Sequence, residues 1–251
     1  MTRMDLPSAT IAEQDGLRTL HLGDTPWVQG AMLVREPRTI VLEYVQRMMA
    51  WMLWRDEAEL ARGHAVQLGL GAGAITRYCH QVLRMDRVTA VELNPAVIAA
   101  CRQGFRLPPD DARLAVLEAD AAAWVEDDTK LQTAQVLCVD LYDHEAAAPV
   151  LDSEAFYAAC RGVLAHGGLM SVNLFGRAAS FEKSAAHIAA AFGNDQVWSL
   201  RPTREGNTVV IAARGVHVPG REALSARAAN IERRHGLPAG KWLRMVRPYN
   251  A

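Results

Sequence analysis

Short apolar runs alternate with amphipathic helical stretches over most of this chain. Apolar runs of five or six residues predict buried strands, and apolar residues three and four apart predict helices. The predicted strands are 65–70, 88–92, 113–118, 134–140 and 168–174, and the predicted helices are 73–84, 95–104, 120–126, 152–164 and 178–192. Strands that alternate with helices in this way predict an α/β protein with a mostly parallel, Rossmann-like sheet.

The pattern changes after residue 192, where strand-like runs at 196–201 and 207–213 are separated only by the segment 202–206. This link is too short for a crossover helix, so the two runs are expected to form an antiparallel hairpin. We therefore predict a seven-stranded, methyltransferase-like sheet that is mostly parallel and ends in an antiparallel hairpin.

The N-terminal region has a different pattern. Residues 1–15 read as a loose polar lead, 17–22 and 27–32 as a small β-hairpin, and 37–54 as a helix with a wide apolar face. A further amphipathic helix is predicted at about 221–234. We predict an N-terminal β-hairpin and helix cap (1–60), a nucleoside-binding domain (61–215) and a helical C-terminal tail (216–251).

Composition narrows the classes of function. Half of the 251 residues are hydrophobic and the formal net charge is −1, so no binding to nucleic acid or to a membrane surface is expected. The N-terminus lacks the apolar core of a secretory signal, and we expect a cytoplasmic protein. Four cysteines without CxxC spacing and eight histidines without an HxH or HExxH pair predict reduced thiols and no metal site.

A glycine-rich turn follows the first predicted parallel strand and contains Gly69, Gly71 and Gly73. Glycines let the backbone approach a ligand closely, and the N-terminus of the next helix offers free N–H donors. The turn therefore predicts a nucleoside site at the carboxyl edge of the sheet. The same letters fit G-x-G-x-x-A with Ala74, so a dinucleotide such as NAD stays an alternative.

Two acidic positions after the following strands fit a nucleoside. Glu92 ends the second strand, where a carboxylate can accept hydrogen bonds from both ribose hydroxyls. Asp120 follows the third strand and can accept from an adenine amino group, while the backbone N–H of Ala121 meets a ring nitrogen. The alternative for Asp120 is a helix N-cap.

The segment after the fourth strand carries Asp140 and Asp143, two carboxylates three residues apart. A ligand of the S-adenosylmethionine type carries a sulfonium sulfur, and an amine must lose a proton before it attacks a carbon bonded to that sulfur. A carboxylate with a raised pKa can accept the proton. The pair also offers a cationic amine two anionic partners. We predict Asp140 and Asp143 to be the catalytic residues; the alternative is a loop with solvated acids and a helix cap.

Over residues 15–213 the chain resembles the spermidine synthase, or polyamine aminopropyltransferase, family. The resemblance rests on the order and spacing of DGLRTLHLG, WVQGAM, AVQLGLGAGAITRY, VTAVELNPAVIAACR, VLCVDLYDH and DSEAFYAACRGVLAHGGLMSVNLF. It implies aminopropyl transfer from decarboxylated S-adenosylmethionine to an amine, with Asp140 as general base. Glu92 is then expected on the ribose, Asp120 on the adenine, and Asp143 and Gln29 near the acceptor and the donor tail. It also implies a homodimer.

The chain departs from the family where the polyamine half of the site is expected. In the family, an aspartate of the glycine turn binds the aminopropyl ammonium, and here that position is Ala72. The Tyr-His-Glu or Tyr-Gln-Glu stretch of the family appears as Val45-Gln46-Arg47, and Tyr44 is a possible substitute. A methyltransferase that uses intact S-adenosylmethionine and a non-catalytic nucleoside-binding protein are therefore the alternatives.

Overall fold

The computed structural model describes residues 6–142, 151–176 and 178–249. Its N-terminal part is a three-stranded antiparallel sheet. Its strands are β1 (Ala9–Gln14), β2 (Leu17–Leu22) and β3 (Gly30–Leu33). The predicted polar lead was thus wrong for β1, which pairs along its whole length with β2. The hydrophobic pattern gave no signal for β1, since five of its six side chains are exposed at the edge of the sheet.

The predicted helix 37–54 is also different in the structure. It is a short α-helix, α1 (Glu43–Met48), that continues as a 3₁₀ helix over Met49–Trp54. Every residue of the 3₁₀ segment is buried, because the central sheet and the C-terminal helices cover it on several sides. Tertiary packing, rather than one amphipathic face, determines the conformation here.

The central sheet has eight strands in the order β11-β9-β10-β8-β7-β4-β5-β6. Their bounds are β4 (His64–Leu68), β5 (Arg87–Glu92), β6 (Leu114–Glu118), β7 (Ala134–Val139), β8 (Leu164–Phe175), β9 (Val197–Ser199), β10 (Asn207–Ala213) and β11 (Arg247–Pro248). Strands β4 to β8 pair in parallel, whereas β10 runs antiparallel to both β8 and β9. The predicted methyltransferase-like α/β fold with its antiparallel hairpin is confirmed. The eighth strand, β11, comes from the C-terminal tail.

The described residues form seven further α-helices. They are α2 (Ala74–Arg77), α3 (Pro95–Gly104), α4 (Ala121–Glu126), α5 (Glu154–Val163), α6 (Ala178–Phe192), α7 (Arg221–His235) and α8 (Ala239–Met245). The predicted helix 73–84 is instead the single turn of α2 followed by a π-helical turn over Tyr78–Val82. Within the described residues, no helix combines the length and the apolar character that a membrane span requires.

Alternating strand residues build a hydrophobic layer on each face of the sheet. Val136 packs with α1, the 3₁₀ segment and the C-terminal helices. Its neighbour Leu137 packs with α4, α5 and α6 on the other face. A third cluster joins the N-terminal sheet to the glycine turn and α3, through Leu20, Met32 and Ala72 among others. The N-terminal sheet is therefore fixed directly beside the carboxyl edge of the central sheet.

The C-terminal tail is part of the folded protein. Trp242 of α8 is 1% exposed, and the Tyr78 hydroxyl donates to the carbonyl of His235 at the end of α7. Arg227 donates to the carbonyl of Leu53 and pairs with Asp56. These contacts place the tail against the 3₁₀ segment. The division of the chain into three domains stays a prediction.

Candidate active site at the carboxyl edge of the sheet

The glycine turn lies between β4 and α2 and needs its glycines for two reasons. Gly69, Gly71 and Gly73 have φ of +82°, +51° and +70°, values that side chains disfavour. A Cβ on Gly69 would lie 2.1 Å from the carbonyl oxygen of Asp140. The turn therefore packs its backbone directly against the segment that leaves β7.

Gln67, a polar residue in the buried strand β4, holds the turn in place. Its Nε2 donates to the carbonyls of Gly69 and Leu70 at 2.7 and 3.2 Å, and its Oε1 accepts from the backbone N–H of Thr76 at 3.0 Å. The sequence prediction missed this residue, although a glutamine inside an apolar strand was a usable signal. Gln67 connects the turn to the helix that follows it.

Glu92 lies at the end of β5, next to the turn. Its Oε2 accepts from the backbone N–H of Leu70 at 2.8 Å, and its Oε1 accepts from that of Asn94 at 2.9 Å. Burial raises the pKa of Glu92, and these backbone donors offset part of the increase. Each carboxylate oxygen has lone pairs left, so a sugar hydroxyl can still be bound.

Asp120 follows β6 and caps α4. Its Oδ1 accepts from the backbone N–H of Ala123 at 3.0 Å, the N-cap arrangement that was the alternative interpretation. The side chain is exposed at the same edge of the sheet as Glu92, and the neighbouring Ala121 is buried. The cap uses one carboxylate oxygen, so the other oxygen is available for a ligand. Adenine binding by that oxygen and by the Ala121 N–H stays a prediction.

Asp140 directly follows β7 and is held by two neighbours. Its Oδ1 accepts from the Asn173 side chain at 2.8 Å, and its carboxylate is hydrogen-bonded to the Tyr44 hydroxyl. Burial raises the pKa of Asp140, and the two hydrogen bonds oppose this effect only in part. The net result is a partly desolvated carboxylate with increased basicity.

A chain of polar groups across the sheet orients Asp140. Asn173 of β8 accepts from the Asn207 side chain of β10 at 3.1 Å, and its backbone carbonyl accepts from the Tyr142 hydroxyl at 3.0 Å. The same hydroxyl accepts from the backbone N–H of Phe175. Sequence analysis missed Asn173 and Asn207, because only the fold brings these strands together.

A small cavity lies between the glycine turn, the start of α1 and Asp140. Its lining includes Gln29, Tyr44, Gln67, Ala72 and Asp140. The cavity has a volume of about 20 Å³, room for little more than a water-sized group, so it suits the end of a ligand and not a whole nucleoside. Gln29 thus lines the same cavity as Asp140, and its contact with the donor tail stays a prediction.

The second predicted catalytic carboxylate, Asp143, lies outside the described residues. The other remaining prediction was that the protein has no metal site. No group of three or more histidine, cysteine or acidic side chains suited to a metal ion occurs in the described ranges.

Comparison with known proteins finds relatives in sequence and in fold. No family model matches the chain. It is 29% identical to a polyamine aminopropyltransferase of Chromobacterium violaceum over 246 residues, which are 98% of this chain and 91% of that protein. A probable spermidine synthase from Corynebacterium glutamicum shares the fold with a TM-score of 0.72 and 19% identity, over 89% of this chain and 83% of that one.

A methyltransferase also shares the fold. Human methyltransferase-like protein 13, solved in complex with SAH, superimposes with a TM-score of 0.68 and 20% identity over 84% of this chain and 96% of that one. At this identity the likeness concerns the fold alone. The match to the curated polyamine aminopropyltransferases, at 29% identity, extends over nearly the whole chain, so the protein is similar to them along its length.

Proposed function

We propose that this protein transfers an aminopropyl group from decarboxylated S-adenosylmethionine to a small amine. The observation that carries the proposal is the position of Asp140, a carboxylate with a raised pKa, against the same glycine turn that binds Glu92. We propose that a donor whose sugar is bound by Glu92 extends along this turn, so that its reactive carbon reaches Asp140. The proposal agrees with the activity named for the curated relatives.

The proposed reaction is a single displacement. The Asp140 carboxylate accepts a proton from the acceptor ammonium, and the neutral nitrogen then attacks the carbon next to the sulfonium sulfur. A carbon–nitrogen bond forms as the carbon–sulfur bond breaks, and its electron pair stays on sulfur. The products are a lengthened amine and methylthioadenosine. Glu92, Asp120 and Ala121 would bind the nucleoside, Gln29 would contact the donor tail, and Asp143 would bind the acceptor.

One observation favours a second candidate, a methyltransferase that uses intact S-adenosylmethionine. The carbonyl of Ala72, at the expected tail position, accepts a hydrogen bond from Arg77, a residue that is 1% exposed. Burial lowers the pKa of Arg77 to about 10, so the side chain is still a cation at neutral pH. An ammonium tail would be repelled by this charge, whereas the carboxylate of the intact donor would be attracted.

The choice of donor tests both candidates. We expect the purified protein, incubated with decarboxylated S-adenosylmethionine and a mixture of primary amines, to release methylthioadenosine, which mass spectrometry detects. S-Adenosylhomocysteine formed only from the intact donor would support the methyltransferase and overturn aminopropyl transfer. Binding of a donor in calorimetry without either product would support a non-catalytic nucleoside-binding protein. Binding of NAD alone would support the dinucleotide interpretation.

Replacing Tyr44 by phenylalanine should move the acidic limb of the pH profile to higher pH. The hydroxyl of Tyr44 lowers the pKa of Asp140, so its removal raises that pKa further. Asp140 acts as a base only when it is ionised, and activity should therefore be lost at a higher pH than in the wild type. The measurement is kcat/KM between pH 5 and 9, with the decarboxylated donor.

Tyr78→Phe is the matched control, because this hydroxyl donates to the His235 carbonyl and not to Asp140. Its acidic limb should coincide with that of the wild type. An unchanged limb in Tyr44→Phe would contradict the assignment of Asp140 as the titrating base. A homodimer and a cytoplasmic location stay predictions.

A further inference from the structure

One peptide unit of the glycine turn is bound by side chains on both of its sides. The carbonyl of Gly69 accepts from the Gln67 side chain at 2.7 Å. The N–H of Leu70 belongs to the same peptide unit and donates to Glu92 at 2.8 Å. In a trans peptide these two groups point in opposite directions, so Gln67 and Glu92 hold the unit from opposite sides.

The hydrogen-bonding capacity of Gln67 is fully used in this arrangement. Its Nε2 also donates to the carbonyl of Leu70 at 3.2 Å, and its Oε1 accepts from the backbone N–H and the hydroxyl of Thr76 at 3.0 and 2.5 Å. An amide side chain has two N–H donors and two lone pairs on its oxygen, which these four contacts match. Gln67 lines the cavity beside Asp140 but has no group left for a ligand, so it acts through the turn.

The next two carbonyls of the turn are also bound from the protein side. The Cys101 thiol donates to the carbonyl of Gly71 at 3.0 Å, and Arg77 donates to that of Ala72. Burial raises the pKa of Cys101 to about 12, so this side chain is a neutral thiol that can donate. The four consecutive carbonyls of residues 69–72 thus all have side-chain donors within the protein. The orientation of the turn is therefore set before a ligand binds.

We propose that Gln67 is a positioning residue of the donor site, which fixes the Gly69–Leu70 peptide unit so that the Leu70 N–H orients the Glu92 carboxylate for the ribose. The proposal rests on the proposed function, in which Glu92 binds the sugar of the donor. One oxygen of this carboxylate is bound by the N–H of Leu70 and the other by that of Asn94, so its free lone pairs have a defined direction. Such preorganisation raises affinity, because less ordering is needed on binding.

Gln67→Met removes the amide group and keeps the length of the side chain. With the full-length protein, we expect the dissociation constant of methylthioadenosine in calorimetry to rise about tenfold, because the preorganisation of Glu92 is lost. The dissociation constant of the decarboxylated donor should rise by the same factor, since both ligands contain the nucleoside. At saturating donor, kcat should stay within about threefold, because Asp140 is unchanged.

Gln135→Met is the matched control for the loss of a glutamine from the sheet. The Oε1 of Gln135 also accepts from a backbone N–H, that of His64 at 2.6 Å, but at the amino end of β4. Both variants should have a lower melting temperature than the wild type, because each leaves a backbone N–H without its acceptor. Only Gln67→Met should weaken nucleoside binding.

The pH dependence of binding separates positioning from a loss of packing. Burial raises the pKa of Glu92, and the Leu70 N–H opposes this effect. Once that N–H is displaced, the pKa rises further, so affinity for methylthioadenosine should be lost at a higher pH in Gln67→Met than in the wild type. Burial raises the pKa of Cys101, which is coupled to Glu92, to about 12 and lowers that of the nearby Arg77 to about 10, so neither group titrates between pH 5 and 8.

If Gln67→Met fails to fold, Thr76→Val replaces it, because it removes the hydroxyl that donates to the Gln67 Oε1. It should weaken nucleoside binding in the same direction, and Thr76→Ser should restore wild-type affinity. Wild-type affinity in the variant that folds would overturn the positioning role of Gln67. Equal weakening in Gln135→Met would show a general loss of structure and would also overturn it.

The proposed function can fail separately. If the wild type binds methylthioadenosine but transfers no aminopropyl group to any amine, aminopropyl transfer is overturned, and the dissociation constants alone decide the role of Gln67. If the wild type binds neither methylthioadenosine nor the donor, both proposals are overturned.

Discussion

Asp140→Asn should lower kcat/KM by a factor of about 10² to 10⁴, the range expected when a general base is lost. Asparagine has the shape of aspartate, and its Oδ1 can still accept the hydrogen bond from Asn173 that measures 2.8 Å in the wild type. The amide cannot accept a proton from the acceptor ammonium. Donor affinity, measured by calorimetry, should stay within a few-fold, because Glu92 and the glycine turn are unchanged.

The stability of this variant supplies an independent check. Burial raises the pKa of Asp140 in the folded protein, so the ionised carboxylate destabilises the fold once the pH rises above the pKa of the unfolded chain. A neutral amide removes that penalty, and the melting temperature at neutral pH should be equal to or higher than that of the wild type. Asp111→Asn, at the amino end of β6, is the control and should keep full activity. Wild-type turnover in Asp140→Asn would remove Asp140 from the mechanism.

The sequence analysis found the residues whose positions follow from the order of strands and turns along the chain. A glycine turn after a buried strand and an acid at the end of the next strand meet at one edge because parallel strands share their carboxyl edge. Gly69, Glu92 and Asp140 are therefore brought together as the pattern predicts. The α/β alternation also predicted α3 to the residue, since Asn94 and Pro95 are a cap and a first-turn proline.

The residues that sequence analysis missed act through contacts between distant segments. Asn207 and Asn173 are joined because β10 lies beside β8 in the sheet. Tyr44 was named only as a possible substitute, and its hydrogen bond to Asp140 arises because α1 packs against β8 and β10. No spacing within the chain reveals such contacts. Asp120 illustrates the reverse case, since its local role as a helix cap is visible in the structure while its ligand role is not.

Gly69→Ala should impair donor binding as well as stability. The positive φ of +82° alone costs about 1–2 kcal/mol for a residue with a side chain. The added Cβ would also lie 2.1 Å from the backbone oxygen of Asp140, and no side-chain rotation can relieve that contact. The turn and the end of β7 must move apart, which displaces the backbone N–H of Leu70 from Glu92. We expect at least a tenfold loss of donor affinity in calorimetry.

Gly63→Ala isolates the effect of backbone strain. Gly63 has nearly the same φ, +83°, but it precedes β4 at the opposite edge of the sheet, and its Cβ would meet the Gln135 side chain. That side chain can rotate away at the cost of its hydrogen bond to the His64 N–H. Both variants should lower the melting temperature, by roughly 2–8 °C for the φ effect in a chain of this size. Only Gly69→Ala should weaken donor binding, because only its Cβ separates the two strand tips that we propose bind the sugar and activate the amine.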